Sequence, residues 1–101
     1  MKFQQHSATS RAAAVKILAT ADTLRGDVYR FIVQFGDWGA TDEEIQIGLR
    51  LNPSTQRPRR VELVEVGVIE DSQKKRRTTS GRWAVVWSVT KPKRQEQKEL
   101  F

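Results

Sequence analysis

The sequence contains no cysteine and only one histidine, and these two shortages remove several classes of protein. Without cysteine there is no disulfide framework, no thiolate nucleophile and no zinc finger, which fits a reducing intracellular compartment. The single histidine, His6, lies in a polar, aperiodic segment and is expected to be solvated. Histidine-based acid/base pairs, triads and multi-histidine metal sites are therefore excluded. We expect no catalytic residues, no cofactor and no metal, and hence no enzyme.

Long apolar runs and glycine-rich phosphate loops are also missing. The most apolar stretch, residues 12–19, is short and carries Lys16, so neither a signal peptide nor a membrane span is predicted. Gly36 and Gly39 lie in a turn, and no GK[ST] sequence follows them. The expected location is the cytoplasm, in association with the nucleoid if the protein binds DNA. No small-molecule substrate is evident, and no membrane partner is expected.

What the sequence does contain is positive charge, concentrated in its second half. Residues 1–53 hold six Lys or Arg and six Asp or Glu, whereas residues 54–94 hold eleven Lys or Arg against four Asp or Glu. This asymmetry favours a polyanionic partner for the second half, and a basic surface that serves only solubility is the alternative. The length of 101 residues fits a single domain. We place this domain at 10–90, between a flexible amino terminus at 1–9 and a basic tail at 91–101 that is expected to be disordered.

Two helices are predicted in the first third of the chain. The first spans 11–19 and is capped by Ser10 or Thr9. Its apolar residues nearly surround the axis, so it either tucks deeply into its own domain, which we favour, or covers a partner subunit in a homodimer. The second helix spans about 23–35 and ends at Gly36. Its apolar face follows the helical period at Leu24, Val28, Phe31, Ile32 and Phe35.

The segment after the second helix predicts a turn and a third helix. The turn at 37–40 could include one short strand, and its Trp38 is expected to be buried. Thr41 and Glu44 form a capping box at the start of the third helix, which is expected to end near Leu49. The acidic first turn of this helix is explained by the helix dipole without catalysis. Gly48 would allow another helix to approach closely.

A fourth helix follows, with two competing starting points. Either Asn52 caps it with Pro53 at the first helical position, or Ser54 or Thr55 caps it a turn later. Pro58 favours the later start, because a proline deep in a helix removes a hydrogen bond and clashes with the preceding turn. The inward residues are expected to be Val61 and Val64, flanked by Leu63 and Val66, and Gly67 is expected to end the helix.

Two strands close the domain. They are predicted at 68–70 and 82–89, joined by a polar loop at 71–81 that contains Lys74, Lys75, Arg76 and Arg77. Trp83 and Trp87 are expected to lie in the core, with base stacking as the alternative. The predicted fold class is α+β, mainly α with a small β-hairpin.

This succession of elements resembles the winged helix-turn-helix fold over residues 22–89, through the sequences GATDEEI, ELVEVG, VIED and SGRWAVVW. It is also similar to small winged-helix proteins of bacteriophages and prophages. The resemblance implies a three-helix core with an extra N-terminal helix and a two- or three-stranded wing sheet. It further implies that the start of the fourth helix faces a DNA groove and that the basic loop forms the wing tip. The implied DNA-binding residues are Ser54, Thr55, Gln56, Arg57, Arg59 and Arg60 on the helix, and Lys74, Lys75, Arg76, Arg77 and Arg82 on the wing. Pro58 departs from the usual pattern of such helices.

The chemistry of these residues agrees with DNA binding. Arginine can bind guanine with two parallel donors, glutamine can do the same to adenine, and wing cations suit the phosphate backbone. The alternative for Arg57, Arg59 and Arg60 is surface pairing with Glu62 or Glu65. We therefore expect a protein that binds double-stranded DNA, as a transcriptional regulator or as a replication or recombination accessory factor. The runner-up is a protein-interaction module that docks on an acidic partner such as a polymerase or another phage or host protein, and RNA or single-strand binding is a third possibility.

Overall fold

The computed structural model describes residues 8–91. Within this range four helices precede a two-stranded antiparallel hairpin, and a short 3₁₀ turn links the second helix to the third. The elements are α1 (Ala8–Thr20), α2 (Leu24–Gln34), the 3₁₀ turn (Gly36–Trp38), α3 (Asp42–Leu49), α4 (Pro53–Glu65), β1 (Ile69–Arg77) and β2 (Trp83–Val89). The predicted α+β class is confirmed. His6, residues 1–7 of the expected flexible terminus and residues 92–101 of the expected tail lie outside the described residues.

Helix α2 is the centre of the core. It packs against α1, α3 and α4, so its middle residues Val28, Tyr29 and Ile32 are buried, together with Ile45 of α3 and Leu63 of α4. The prediction of a buried stripe from Leu24 to Phe35 is wrong at both ends, where these two side chains are about two-fifths exposed. Leu24 is the first residue of α2 and Phe35 follows its last, and a periodic pattern cannot show how far the neighbouring helices cover such ends.

Helix α1 covers α2 with one side only. Leu18 is buried, whereas Ile17 is 65% exposed, so the expectation that α1 tucks deeply into the domain is wrong. An alanine-rich helix can be apolar around its whole axis without needing burial, because alanine adds little apolar surface. Homodimerisation through the exposed side of α1 stays a prediction.

Helix α3 has the predicted boundaries. Thr41 and Glu44 form the capping box, with the Glu44 N–H donating to Thr41 Oγ1 at 3.1 Å and the Thr41 N–H donating to Glu44 Oε1 at 3.0 Å. Gly48 allows the close approach that its position predicted, because a Cβ there would lie 2.2 Å from the ring of Phe31. Arg50 ends the helix in the left-handed region, with φ of +59°.

Helix α4 begins at the earlier of its two predicted starting points, so the later start that Pro58 favoured is wrong. Asn52 is the cap, its side chain accepting from the Thr55 N–H at 2.9 Å, and Pro53 occupies the first helical position. Pro58 therefore lies inside the helix and leaves the Ser54 carbonyl without its helical partner. Both Pro58 and Ser54 are exposed, so water can satisfy that carbonyl.

The buried stripe of α4 also differs from the prediction. Gln56 and Leu63 are fully buried, and Arg60 lies between them on the same face, at the i, i+4, i+7 spacing. Val61, expected to face inward, is exposed instead. Val64 packs partly buried against the core, as expected. Two of the three residues of this stripe, Gln56 and Arg60, are polar, so the apolar residues alone could not locate it.

The hairpin is longer than predicted. Lys74 to Arg77 belong to β1 rather than to a loop, and a bulge between Asp71 and Lys75 interrupts the pairing with β2. Beyond the bulge, Lys75 pairs with Val85 and Arg77 with Trp83. This half of β1 has no apolar alternation, and the apolar, β-branched partner strand imposes its extended conformation. Ala40 adds one isolated bridge to Trp87 at the other edge of β2.

The longest helices within residues 8–91 are α1 and α4, with 13 residues each. No helix of this range combines the length and the apolar character that crossing a bilayer requires.

Candidate nucleic-acid interface

Besides Lys74, which donates to the Asp37 carbonyl, four exposed cations lie along α4 and the hairpin. Arg57 and Arg82 both line one cleft between these elements, and the side chain of Arg57 is 60% exposed. Lys75 and Arg77 are exposed on the same face of the hairpin as Val85 and Trp83, because paired residues of antiparallel strands point to one side. We call this set, Arg57, Lys75, Arg77 and Arg82, the cationic face. Each of its members was among the predicted site residues.

Gln56 is not available to a groove. Its side chain is fully buried, accepting from Gln46 Nε2 at 2.8 Å and donating to Asp42 Oδ1 at 3.0 Å. The expectation that Gln56 reads bases therefore does not hold. The buried amide satisfies polar groups between α3 and α4, where an unpaired donor or acceptor would be costly.

Arg60 is likewise engaged inside the protein. Its guanidinium donates to both oxygens of Asp42, at 3.0 and 2.8 Å, and lies 4.2 Å from the ring centroid of Trp87. Burial acts to raise the pKa of Asp42, but the hydrogen bonds from Arg60 and Gln56 and the charges of Arg60 and Arg57 outweigh it, so this pKa is lowered. Arg60 thus holds α4 against α3 and β2 instead of facing a groove.

The remaining predicted residues of α4 have local partners. Arg59 pairs with Glu62 at 2.9 Å, as the alternative of surface pairing anticipated, and Arg25 of α2 binds the same carboxylate at 2.9 Å. Ser54 donates its hydroxyl hydrogen to Asn52 Oδ1 at 2.8 Å, next to the cap. Thr55 is half-buried. Ser54 is exposed at the helix start, where backbone N–H groups favour an anion.

Arg76 anchors the hairpin to α3 and does not extend into solvent. It donates to both oxygens of Glu44, at 2.9 and 2.8 Å, and its guanidinium lies 4.1 Å from the ring centroid of Trp38. The hydrogen bond from Arg76 is the main cause of the lowered pKa of Glu44. Trp38 itself is 60% exposed, so its predicted burial is wrong: the arginine covers one face of the ring and solvent reaches the rest. Lys74 donates to the Asp37 carbonyl at 2.7 Å.

The turn of the hairpin is fixed by the same end of α3. Glu43 accepts from the Thr79 N–H at 3.0 Å and from its hydroxyl at 2.7 Å. The three acidic residues of the first turn of α3 therefore each hold one neighbour: Asp42 holds α4, Glu43 the hairpin turn and Glu44 strand β1. Sequence reasoning assigned these carboxylates to the capping box and the helix dipole, and nothing local in the sequence shows that they also bind distant arginines and Thr79.

Between α4, the start of α3 and the hairpin lies a cleft of about 390 Å³, which we call the helix–hairpin cleft. Arg57 and Arg82 give its lining exposed positive charge, which we call its cationic edge, and Trp83 and Trp87 contribute aromatic surface. Glu43 and the paired side chains of Asp42 and Arg60 complete the charged part of the lining. Trp83 is 63% exposed, so its predicted core position is wrong, whereas Trp87 packs partly buried against the core as expected. Trp83 lies at the end of a two-stranded hairpin, where no other layer of secondary structure covers its side chain.

Comparison with protein-family models, curated proteins and solved structures finds no match for this chain. Among residues 8–91, no group of three or more His, Asp or Glu side chains is placed to hold a metal ion. The site is therefore defined by its own geometry: exposed cations around a cleft that also contains carboxylates and an exposed tryptophan.

Proposed function

We propose that this protein binds double-stranded DNA as a winged helix-turn-helix protein. Helix α3, the connection 50–52 and helix α4 would form the helix-turn-helix, and the hairpin beside α4 would be the wing. In this arrangement the start of α4 enters the major groove while the wing contacts the adjacent backbone. The four-helix and hairpin layout is compatible with that docking and supports the proposal.

The observation that carries the proposal is the cationic face. Lys75, Arg77 and Arg82 have no carboxylate partner among residues 8–91, and Arg57 reaches only 4.0 Å from Asp42. Other cations of the same two elements, Arg59, Arg60 and Arg76, are held in ion pairs. These exposed cations come from two elements, α4 and the hairpin, and together form a basic surface of the kind that binds a phosphate backbone.

The proposal is tested by binding of labelled duplex DNA at several salt concentrations. Alanine at Lys75, Arg77 or Arg82 should weaken binding by a similar factor on all sequences, and should lower the salt slope by about 0.9 for each phosphate that the variant no longer neutralises. Arg57→Ala should also relax sequence preference, because arginine on the exposed side of α4 is placed to reach base edges.

Lys16→Ala is the matched control, since it removes one exposed positive charge from α1, outside the cationic face. It should change affinity less than about twofold, because Lys16 belongs to α1 and is not part of the cationic face. Equal losses in the control and the face variants would contradict the assignment of the interface. No duplex binding even at low salt would contradict the proposed function and favour an acidic protein partner.

Two biological roles are compatible with the proposed function. A regulator of transcription or a replication or recombination accessory factor would both use this interface. If two copies joined through α1, they would bind two half-sites, which for helix-turn-helix dimers lie about one helical turn apart, roughly 34 Å. Gel filtration of the full chain, with and without DNA, distinguishes one copy from two.

A further inference from the structure

Trp83 is the largest side chain exposed beside the cationic face, and duplex binding alone leaves it without a role. It begins β2, pairs with Arg77 and is 63% exposed. The Arg77 guanidinium lies 4.9 Å from its ring centroid. Trp83 lines the helix–hairpin cleft, whereas Arg77 does not. We infer that the arginine covers one face of the indole and that the other face is open to the cleft.

The cleft has the size and the polarity of a site for one small polar molecule. Its volume of about 390 Å³ falls within the range of roughly 300–1,000 Å³ that is usual for ligand sites. Arg57 and Arg82 suit a phosphate, whereas a carboxylate in the same lining would repel one. Asp42 is paired with Arg60 and lies 4.0 Å from Arg57, so Glu43, which bonds to the uncharged Thr79, is the carboxylate that would repel a phosphate. A ligand that fits must therefore be anionic at one end and neutral at the other, with a flat apolar surface for Trp83.

A nucleotide meets these requirements, and the tryptophan indicates which kind. In a duplex the base faces are covered by their stacked neighbours, so an aromatic side chain outside the helix cannot stack on them. An unpaired nucleotide exposes both faces of its base, and base stacking on aromatic side chains is tolerant of sequence. The phosphate of the same nucleotide would lie toward the cationic edge.

We propose that the helix–hairpin cleft binds an unpaired nucleotide, with the base stacked on Trp83 and the phosphate near Arg57 and Arg82. The protein would then prefer duplex DNA that carries a single-stranded extension over a blunt duplex. This inference rests on the proposed duplex binding, which supplies most of the contacts. It adds that the cleft selects DNA ends that carry a single-stranded extension.

The test compares affinities for one labelled duplex in three forms: blunt, with a 5′ thymidine extension and with a 3′ thymidine extension. The full chain should bind at least one extended form about tenfold more tightly than the blunt form, equivalent to about 1.4 kcal/mol. Trp83→Ala should reduce this ratio to near one, because it should weaken binding of the extended form by a much larger factor than binding of the blunt duplex. Trp83→Phe should keep most of the ratio, because phenylalanine retains an aromatic face, and Trp83→Leu should lose it.

Trp38→Ala is the matched control. Trp38 is 60% exposed and also carries an arginine over its ring, yet it does not line the cleft, so this variant should keep the preference for the extended DNA. Because both tryptophans are exposed, we expect each variant to remain folded, and thermal melting checks this.

Two results would overturn the inference while leaving the proposed function intact. One is an affinity ratio near one in the unmodified protein with normal binding to blunt duplex. The other is equal weakening of blunt and extended DNA by Trp83→Ala, which would make the ring a duplex contact. Failure to bind any of the three DNA forms would overturn the inference and the proposed function together.

Discussion

At the scale of single residues, Asp42 connects the fold to the proposed interface. Its carboxylate accepts from Gln56 and Arg60 of α4 while it lies in the first turn of α3. The side chains of Asp42 and Arg60 are 19% and 16% exposed, so their pairing is screened by solvent far less than a surface ion pair. Removing one member leaves the other charge partly buried without its partner, which is destabilising.

Asp42→Asn should therefore lower the free energy of unfolding at neutral pH by about 1–3 kcal/mol. The pKa of Asp42 in the folded protein is below its ordinary value of 3.8. A lowered pKa means that the carboxylate contributes stability above pH 3.8, and that this contribution is lost as the pH falls through the folded-state pKa. The difference between the variant and the unmodified protein should shrink over that acidic range in urea unfolding experiments.

The control for this prediction is Asp22→Asn, which removes an exposed carboxylate outside the network of Asp42. It should change stability by less than about 0.5 kcal/mol at neutral pH. If the two variants behaved alike at neutral pH, the pairing of Asp42 with Arg60 would be refuted as a source of stability.

At the scale of elements, α4 carries a proline that the rest of the fold tolerates. Asn52 and Pro53 set the start of the helix, which places Pro58 beyond the first turn, where it removes the hydrogen bond to the Ser54 carbonyl. Two groups of contacts offset the free-energy cost of Pro58. The Asn52 side chain caps the Thr55 N–H, and Gln56 and Arg60 both bond to Asp42. The tertiary contacts thus decided between two starts that local signals left open.

Pro58→Ala should raise the free energy of unfolding by about 1–3 kcal/mol, since it restores the N–H and removes the clash with the preceding turn. Pro53→Ala is the control, because at the first helical position the missing N–H has no intrahelical partner to lose, and its effect should be within about 0.5 kcal/mol. Both effects are measured by urea unfolding at neutral pH. A loss of stability in Pro58→Ala would show that the helix depends on the bend or rigidity that this proline imposes.

The elements could be predicted wherever a local signal acts alone. The capping box of Thr41 and Glu44 fixed the start of α3, and Gly67, with φ of +84°, marks the end of α4 as expected. The prediction failed where burial depends on distant partners. Gln56 and Arg60 are polar residues on the inward face of α4, and their positions follow from Asp42, whose partners the sequence cannot show.

At the scale of the whole molecule, the candidate site could be predicted only as a basic region. Of the predicted cations, the structure leaves Arg57, Lys74, Lys75, Arg77 and Arg82 exposed, and it ties Arg60 and Arg76 to the carboxylates of α3. That division is made by α3, whose acidic first turn lies between α4 and the hairpin. Charge counting along the chain found the region, but it could not distinguish the cations that neutralise this turn from those left for a partner.

The same acidic turn should oppose the binding of duplex DNA, and Glu43 allows this to be measured. Glu43 lines the helix–hairpin cleft with Arg57, and its carboxylate bonds to Thr79, which brings no compensating charge. Glu43→Gln keeps an oxygen that can accept from the Thr79 N–H and removes one negative charge beside the cationic face. We expect blunt duplex DNA to bind this variant about twofold to fivefold more tightly at low salt, with the gain disappearing at high salt.

Glu65→Gln is the control, because it changes the net charge equally but lies eight residues beyond Arg57 along α4. At 1.5 Å per residue this separation is about 12 Å, which exceeds the screening length of about 10 Å at 0.1 M salt. Its effect on DNA affinity should therefore be smaller than that of Glu43→Gln when both are measured at about 0.1 M salt. Equal gains from the two variants would mean that net charge, and not the position of the cationic face, governs binding.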